Sequence, residues 1–554
     1  MFSGVLAPMG LVMCSVALAQ TAPNAGSLNQ QIEREQPPRP NKTTPDIRIE
    51  QSRTPVVPAA EGRKILVRQI RIAGAQIYPE AALLALTGFS GQSEHTLADL
   101  RGMASKISEH YRKHGYFLAK AYLPAQDIRD GSVTIAVLEG RYGQVSLRNN
   151  AHVPDGLVKA LFDGLDSGDT VAITPLESRL LLLSDLPGVN VKSTLVPGAS
   201  VGASDLIVDL EPGSRVTGYI DADNQGNRYT GANRLGAALQ INNPTGSGDL
   251  VSVRALTSFA GMRYGRLAYQ TPIGRASAGV AYSRMLYQLG QDFASLQASG
   301  VATIASIYGG YPLLRSRSHN LTGQVLLDDK AFSDRADATS SLADKKARVA
   351  MFSLNGDARD AFGGSNTYTF SWSRGDITIA NAAALASDGA TAHTSGKYDK
   401  FSLNAMRLQT LSDTLSLQVA VSGQLASKNL DASEKMGLGG AAGVRAYPSG
   451  EAYGDQGYVM NLEAHALLPA FSDSVPGRIT MIGFIDHGSV MLNKNAWTAG
   501  GNRRTLSGAG IGLTWAEHNN FAVSASIARK LGNAVATSAP DTNQRFWLQG
   551  VKYF

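Results

Sequence analysis

Two short stretches carry residue types able to do something specific. In the first, Met436 to Tyr458, glycines crowd around Val444-Arg445-Ala446-Tyr447-Pro448 and no helix or strand period survives. A long irregular stretch inside a folded domain is functional or disordered, and the apolar Val-Arg-Ala-Tyr centre argues against disorder. The second stretch, Phe484-Ile485-Asp486-His487-Gly488, follows about forty residues later. An arginine presents a planar fork that suits one carboxylate. In partly dehydrated surroundings such a pair fixes position and does not turn over a substrate. Strand alternation puts Phe484, Asp486 and Gly488 on one face. In the next strand Gly508, Gly510 and Gly512 share a face without side chains, which leaves a bay for a folded-in loop.

Other constellations carry less. Gly437-Leu438-Gly439-Gly440-Ala441-Ala442 fits a G-x-G-x-x-A dinucleotide fingerprint but lacks the strand before it, the helix after it and the βαβ unit around it. His110 and His114 stand four apart on a helix, as metal ligands do, yet Tyr111 occupies the place where a zinc protease has its glutamate. A solvated helix face explains them better. With no nucleophile elbow and no phosphate loop, no enzyme activity, cofactor or metal is expected.

These motifs need a large scaffold. The chain has 554 residues, and its 58 glycines suit strands and turns. After the first twenty positions no apolar run reaches the roughly 18 residues of a spanning helix. A membrane barrel is still possible, because its apolar residues alternate with polar ones. The net charge of +6 is scattered, with no basic block for nucleic acid. Residues 1–19 read as a signal peptide, with an apolar stretch from Gly10 to Ala19 and cleavage near Ala19 or Ala22. The only cysteine, Cys14, lies inside it, and Met13 is too large for a lipoprotein box. The mature protein is then free of cysteine.

Residues 20–36 predict a short helix from Gly26, with Ser27 as its N-cap, and the proline-rich residues 37–63 an extended linker. Two α/β units follow, over 64–143 and 144–213. In the first, a strand runs from Ile65 to Ile72, a helix from Leu97 to Tyr111 ends at Gly115, and strands cover Tyr116–Leu123 and Ser132–Leu138. In the second, a strand at Val145–Leu147 and a helix near Leu157–Phe162 precede a helix from Pro175 to Leu186 and strands at Val189–Val196 and Asp205–Leu210.

From about 214 to 554 the period is two. Leu415, Leu417, Val419 and Val421 oppose Ser416, Gln418, Ala420 and Ser422, and Tyr368, Phe370 and Trp372 oppose Thr369, Ser371 and Ser373. Sixteen strands fit, starting near 215, 231, 249, 262, 277, 300, 318, 347, 366, 398, 415, 456, 477, 504, 520 and 544. Short turns such as Asn243–Gly248 alternate with longer loops such as Asp329–Lys346 and Arg374–Lys397. The Arg445 stretch, about 427–455, becomes the sixth loop on the outside.

The sequence is mainly β. With Val444-Arg445-Ala446-Tyr447 in that loop, Phe484-x-Asp486-x-Gly488 downstream, and Gly115-Tyr116 and Ala121–Gln126 in the first α/β unit, it resembles the two-partner secretion outer-membrane transporters. These are the haemolysin and filamentous-haemagglutinin secretion-activation family of the outer-membrane assembly superfamily. The resemblance implies a 16-stranded antiparallel transmembrane β-barrel preceded by two periplasmic POTRA domains and an N-terminal plug helix. It implies that the sixth loop folds into the barrel and holds Arg445 against Asp486. It further implies a cognate secreted exoprotein of adhesin or haemolysin type, captured by its N-terminal secretion domain and exported unfolded without nucleotide hydrolysis. A bilayer with lipopolysaccharide and the barrel-assembly machinery are further partners. An insertase for other barrels and a passive porin are the alternatives. The first usually has more POTRA units, and the second needs none.

Overall fold

The computed structural model describes residues 22–34, 46–49, 62, 64–128, 130–470 and 475–554. The expected signal peptide and most of the linker lie outside the described residues.

In the first α/β unit, Ser132–Leu138 is the centre of a three-stranded sheet. It pairs in parallel with Gln69–Ala73 and antiparallel with Lys120–Tyr122. Helices Glu80–Thr87 and Leu97–Lys113 cover one face. Thr96 and Asp99 form a capping box at the start of the longer helix, and Gly115 follows its end in the left-handed region at φ 89°. Ile70, Leu100, Ile107, Val133 and Ile135 make the core. The single strand expected from Ile65 to Ile72 is broken at Arg68, whose N–H donates to the carbonyl of Gly131 at 2.7 Å. Ile65–Val67 turns away to pair with Ser93–His95. The strand expected over Tyr116–Leu123 shortens to Lys120–Tyr122, because Tyr116–Ala119 forms a turn.

The second unit has strands Arg141–Asn149, Val189–Pro197 and Ala203–Pro212, with helices Asp155–Phe162 and Ile173–Ser184. Pro175 is the third residue of its helix, where the missing N–H breaks no helical bond. The linker departs from expectation here. Asp46–Ile49 is a fourth strand, parallel to Lys192–Leu195, so that sheet edge is covered and not open. Ile47 packs against the core of this unit. The unit is docked under the barrel by Asp185, which takes Arg315 through two bonds of 2.7 and 3.0 Å, and by Glu177 with Arg317 at 3.0 Å.

From Val216 to Tyr553, sixteen antiparallel strands close into a barrel. Period-two alternation puts Leu267, Val280, Ile307 and Ile511 on the outside, while the inward faces carry small or polar groups together with an apolar cluster that includes Met285, Phe332, Ile377 and Tyr398. The expected strand starts hold to within a few residues, except that the eighth begins at Ser341 and not near 347. The long loop expected over Asp329–Lys346 is mostly strand. His319–Ala336 and Ser341–Arg359 run as one tall hairpin joined by the single turn Asp337–Thr339. The loop expected at Arg374–Lys397 likewise begins as strand up to Ile379 and then carries a helix, Ala382–Ala390.

The first and last strands meet over five pairs, Tyr219–Asp223 with Gln549–Tyr553. Both ends of this seam are reinforced. Gly218 and Phe554 exchange backbone bonds of 2.9 and 3.0 Å. At the outer end the Asn224 backbone N–H donates to Leu548 O at 3.2 Å, and its side chain accepts from Leu548 N at 2.8 Å and donates to Phe546 O at 3.0 Å.

The helix Ala25–Arg34 lies inside the barrel with Ala25, Leu28 and Ile32 buried against Met285, Tyr287, Ala302 and Phe332 of the wall. Its cap is Asn24, not Ser27. Asn24 Oδ1 accepts from Ser27 N at 3.0 Å, and Ser27 Oγ accepts from Asn24 N at 3.1 Å, because the helix starts one residue before the expected Gly26. Ala25 N donates to Asp334 Oδ1 at 2.8 Å. A Cβ on Gly26 would meet Ser433 of the sixth loop at 2.8 Å, so helix and loop touch directly.

Candidate functional site

The sixth loop returns into the barrel from its outer end. Its base is a two-residue pairing of Met436–Gly437 with Tyr453–Gly454, and its tip reaches the wall strand Arg478–Met491. At the tip Arg445 Nη2 lies 2.6 Å from Asp486 Oδ1, while Nε and the backbone N–H donate to Oδ2 at 2.9 and 3.0 Å. Asp486 is fully buried. The Arg445 guanidinium carbon sits 3.5 Å from the centre of the Phe484 ring, which supports its face as a cation–π partner.

The neighbouring wall is shaped to receive this tip. Phe484 faces Gly510 and Asp486 faces Gly508 across the strand pair. A Cβ on Gly508 would lie 2.5 Å from the Cβ of Ala446, one on Gly510 would run into Phe484, and one on Gly488 would lie 2.6 Å from Leu438 of the loop. Gly512 does not touch the loop. It lines a cavity of about 200 Å³ beside Arg445. Val444, Ala446 and Tyr447 are fully buried. The Tyr447 hydroxyl donates to Ala534 O at 3.1 Å, and the Pro448 carbonyl accepts from Glu451 N at 3.3 Å.

Several partners of this site carry no sequence motif. Glu463 takes the third arm of Arg445, Nη1, at 2.7 Å. Asn461 donates to Asp486 Oδ1 at 2.7 Å and to Gly443 O at 3.0 Å, and the Trp547 indole donates to Arg445 O at 2.7 Å. Glu451, with its side chain buried, accepts from the N–H groups of Thr537 and Ser538, in the loop between the last two barrel strands, and from Arg504 at 2.6 Å. Asp431 and Glu434 meet Lys345 at 2.7 Å and Lys330 at 2.9 Å on the opposite wall. Asp431, Glu434 and Glu451 are acids of the loop itself, and Glu463 stands on the wall strand Gln456–Leu467. A buried carboxylate must find cations or N–H groups, and that was the available signal.

The other singled-out groups take structural roles. Gly437 belongs to the loop's short pairing, and no helix follows it. His110 and His114 stack at 4.3 Å between ring centres on the first unit's helix.

A closed barrel with an apolar exterior, a lumen filled by a helix and an inward-folded loop, and α/β units ahead of it define an outer-membrane transporter of the POTRA-barrel class. Residues 65–140 match the POTRA domain, ShlB-type, and residues 202–515 match the haemolysin secretion/activation protein family ShlB/FhaC/HecB. The chain belongs to that family of two-partner secretion transporters, with its barrel in the outer membrane and its POTRA domains in the periplasm. It is 28% identical over 557 residues to the heme/hemopexin transporter protein HuxB of Haemophilus influenzae strain 86-028NP, covering 99% of this chain and 97% of that protein. It is 22% identical to the outer membrane transporter CdiB of Dickeya dadantii, over 82% of this chain and 81% of the relative. The solved structure of CdiB from Escherichia coli shares the fold, with a TM-score of 0.68, 22% identity, and coverage of 90% of this chain and 93% of that one.

Proposed function

We propose that this transporter captures one large secreted partner through its POTRA domains and passes it unfolded through the barrel without nucleotide hydrolysis. The observation that carries this reading is the occupied bore. A helix and a loop tip fill a barrel whose wall is hydrogen-bonded all the way round, and both stoppers can leave without any wall strand parting. Arg445 and Asp486 hold the loop in its resting place. Capture is by strand addition, in which main-chain bonds supply affinity and alternate side chains supply choice. In the second POTRA domain the Val189–Pro197 edge is covered by Asp46–Ile49, so a partner strand there displaces the protein's own linker. The partner is of haemolysin or adhesin type, and the name of the HuxB relatives extends that class to a protein that handles haem or hemopexin. The barrel-assembly machinery inserts the protein, and lipopolysaccharide surrounds it.

A fragment covering 64–213 holds both α/β cores. It is expected to bind the partner's N-terminal secretion domain, and a longer fragment starting at residue 46 is expected to bind more weakly. If the full protein binds and the 64–213 fragment does not, recognition lies elsewhere. A strain lacking the transporter is expected to lose one secreted protein and keep its other outer-membrane barrels. Depletion of those barrels would favour an insertase.

A further inference from the structure

The tall strands from His319 to Thr410 carry an ordered pattern on their outward face. Val325 pairs with Phe352, Phe352 with Trp372, Trp372 with Phe401 and Phe401 with Leu425, so five exposed apolar side chains form one row. Three of the five are aromatic, as in the interfacial girdle of a membrane barrel. Two residues further out, about 7 Å at strand rise, Arg374 faces Asp399. One step beyond, Asp329, Arg348, Asp376 and Lys397 follow one another across four strands, with Lys346 above them. The first barrel strand leaves the periplasmic POTRA domain, so the turn after the seventh strand, and this charged rim with it, faces outside.

Alternating charges suggest that the rim satisfies itself, but the distances say otherwise. Arg348 reaches Asp329 only at 4.0 Å and Arg374 reaches Asp399 only at 3.8 Å. A guanidinium–carboxylate hydrogen bond runs at about 2.7–2.9 Å. The Arg348 side chain is 84% exposed. These forks stand at head-group height on the outer leaflet with donors to spare, and the planar fork matches a phosphate.

We propose that this rim binds the phosphorylated sugar head group of the outer-leaflet glycolipid, lipopolysaccharide. Arg348 and Arg374 grip phosphate, Lys346 and Lys397 flank it, and the acyl chains lie along the row of Phe352, Trp372 and Phe401. The carboxylates between the cations set the spacing and oppose binding.

The test is titration of the full-length protein in detergent with bisphosphorylated lipid A, read by native mass spectrometry. The variant Lys346→Gln/Arg348→Gln/Arg374→Gln/Lys397→Gln is expected to bind about tenfold more weakly, whereas Arg359→Gln/Arg478→Gln at the periplasmic ends leaves affinity unchanged. Heat-modifiable gel mobility verifies the folded barrel in each. Dephosphorylated lipid A is expected to bind wild type as weakly as the phosphorylated form binds the fourfold variant. Asp329→Asn/Asp376→Asn/Asp399→Asn is expected to tighten binding. Wild-type affinity in the fourfold variant, or indifference to the phosphates, would overturn the site. Loss of binding in the aspartate variant would overturn direct contact in favour of a bridging divalent cation. No secreted partner is present in this assay, so its outcome is separate from the transport reading.

Discussion

The two stoppers in this barrel are seated in different ways. The loop tip is held by charge in a fitted bay, with three bonds from Arg445 to Asp486, a fourth to Glu463, and glycines beneath Ala446 and Leu438. The helix Ala25–Arg34 is held by apolar packing, by the Ala25 N–H on Asp334, itself bonded to the Tyr287 hydroxyl at 2.6 Å, and by a neutral side-chain bond from Gln31 to Gln225 O at 3.2 Å. Breaking a buried ion pair leaves an orphaned charge and costs about 3–5 kcal/mol. A charge at a helix N-terminus contributes about 0.3–1 kcal/mol. One seat is built to hold a fixed register, the other to let go.

That contrast can be broken or sharpened by substitution. The largest effect is expected at the tip, where Arg445→Ala should assemble in the outer membrane yet secrete near background. Asp486→Ala should match it, and the double variant should be no worse, because the Arg445–Asp486 side-chain pair is lost in all three. Wild-type secretion by Arg445→Ala would end the idea of a functional lock, and additive losses would make the two residues independent. Next comes Gly508→Val, which leaves both charges in place and fills the bay against Ala446. An overpacking cost of about 1–3 kcal/mol predicts partial loss of secretion with raised protease access to the loop. If secretion is unaffected, the bay is not a seat.

Deleting residues 22–34 should leave a folded barrel with larger steady conductance in planar bilayers and an intact tip. Unchanged conductance would mean that the helix does not block the pore. The smallest effect is expected from Asp334→Asn, which keeps the side chain's shape and removes its charge. The frequency of channel openings should rise about two- to fivefold. A rise as large as that of the deletion would show that Asp334, and not apolar packing, holds the helix.

Much of this was legible in the chain, for definite reasons. Membrane strands must alternate, so Leu415 to Val421 and Tyr368 to Trp372 declare their faces without any tertiary information. Gly508 and Gly510 mark close approach, because only a neighbouring backbone or side chain makes a bare strand face useful there. What failed was non-local. Asp46–Ile49 is a strand only because a sheet edge lies in reach, and nothing within four residues encodes that edge. Glu463 and Glu451 are ordinary acids until a loop from elsewhere brings them an arginine or a pair of N–H groups. Asp329 to Lys346 looked like a loop because its outward side chains are charged. The strands there have risen beyond the hydrocarbon, where charge no longer argues against a sheet.

The reinforced seam has a consequence of a mechanical kind. With Asn224 closing one end and Gly218–Phe554 the other, the wall is a ring and not a clasp. On the proposed passage through the bore, a polypeptide crossing a ring is threaded, so an end or a tight hairpin must lead, and it leaves only by running out or by backing up. A partner that folds on the outside before its tail has passed is then larger than the hole on one side and unfinished on the other. Transporter and cargo become mechanically linked, like a bead on a knotted string. One stalled molecule removes one transporter from service, and the number of barrels in the membrane caps the number of chains in transit.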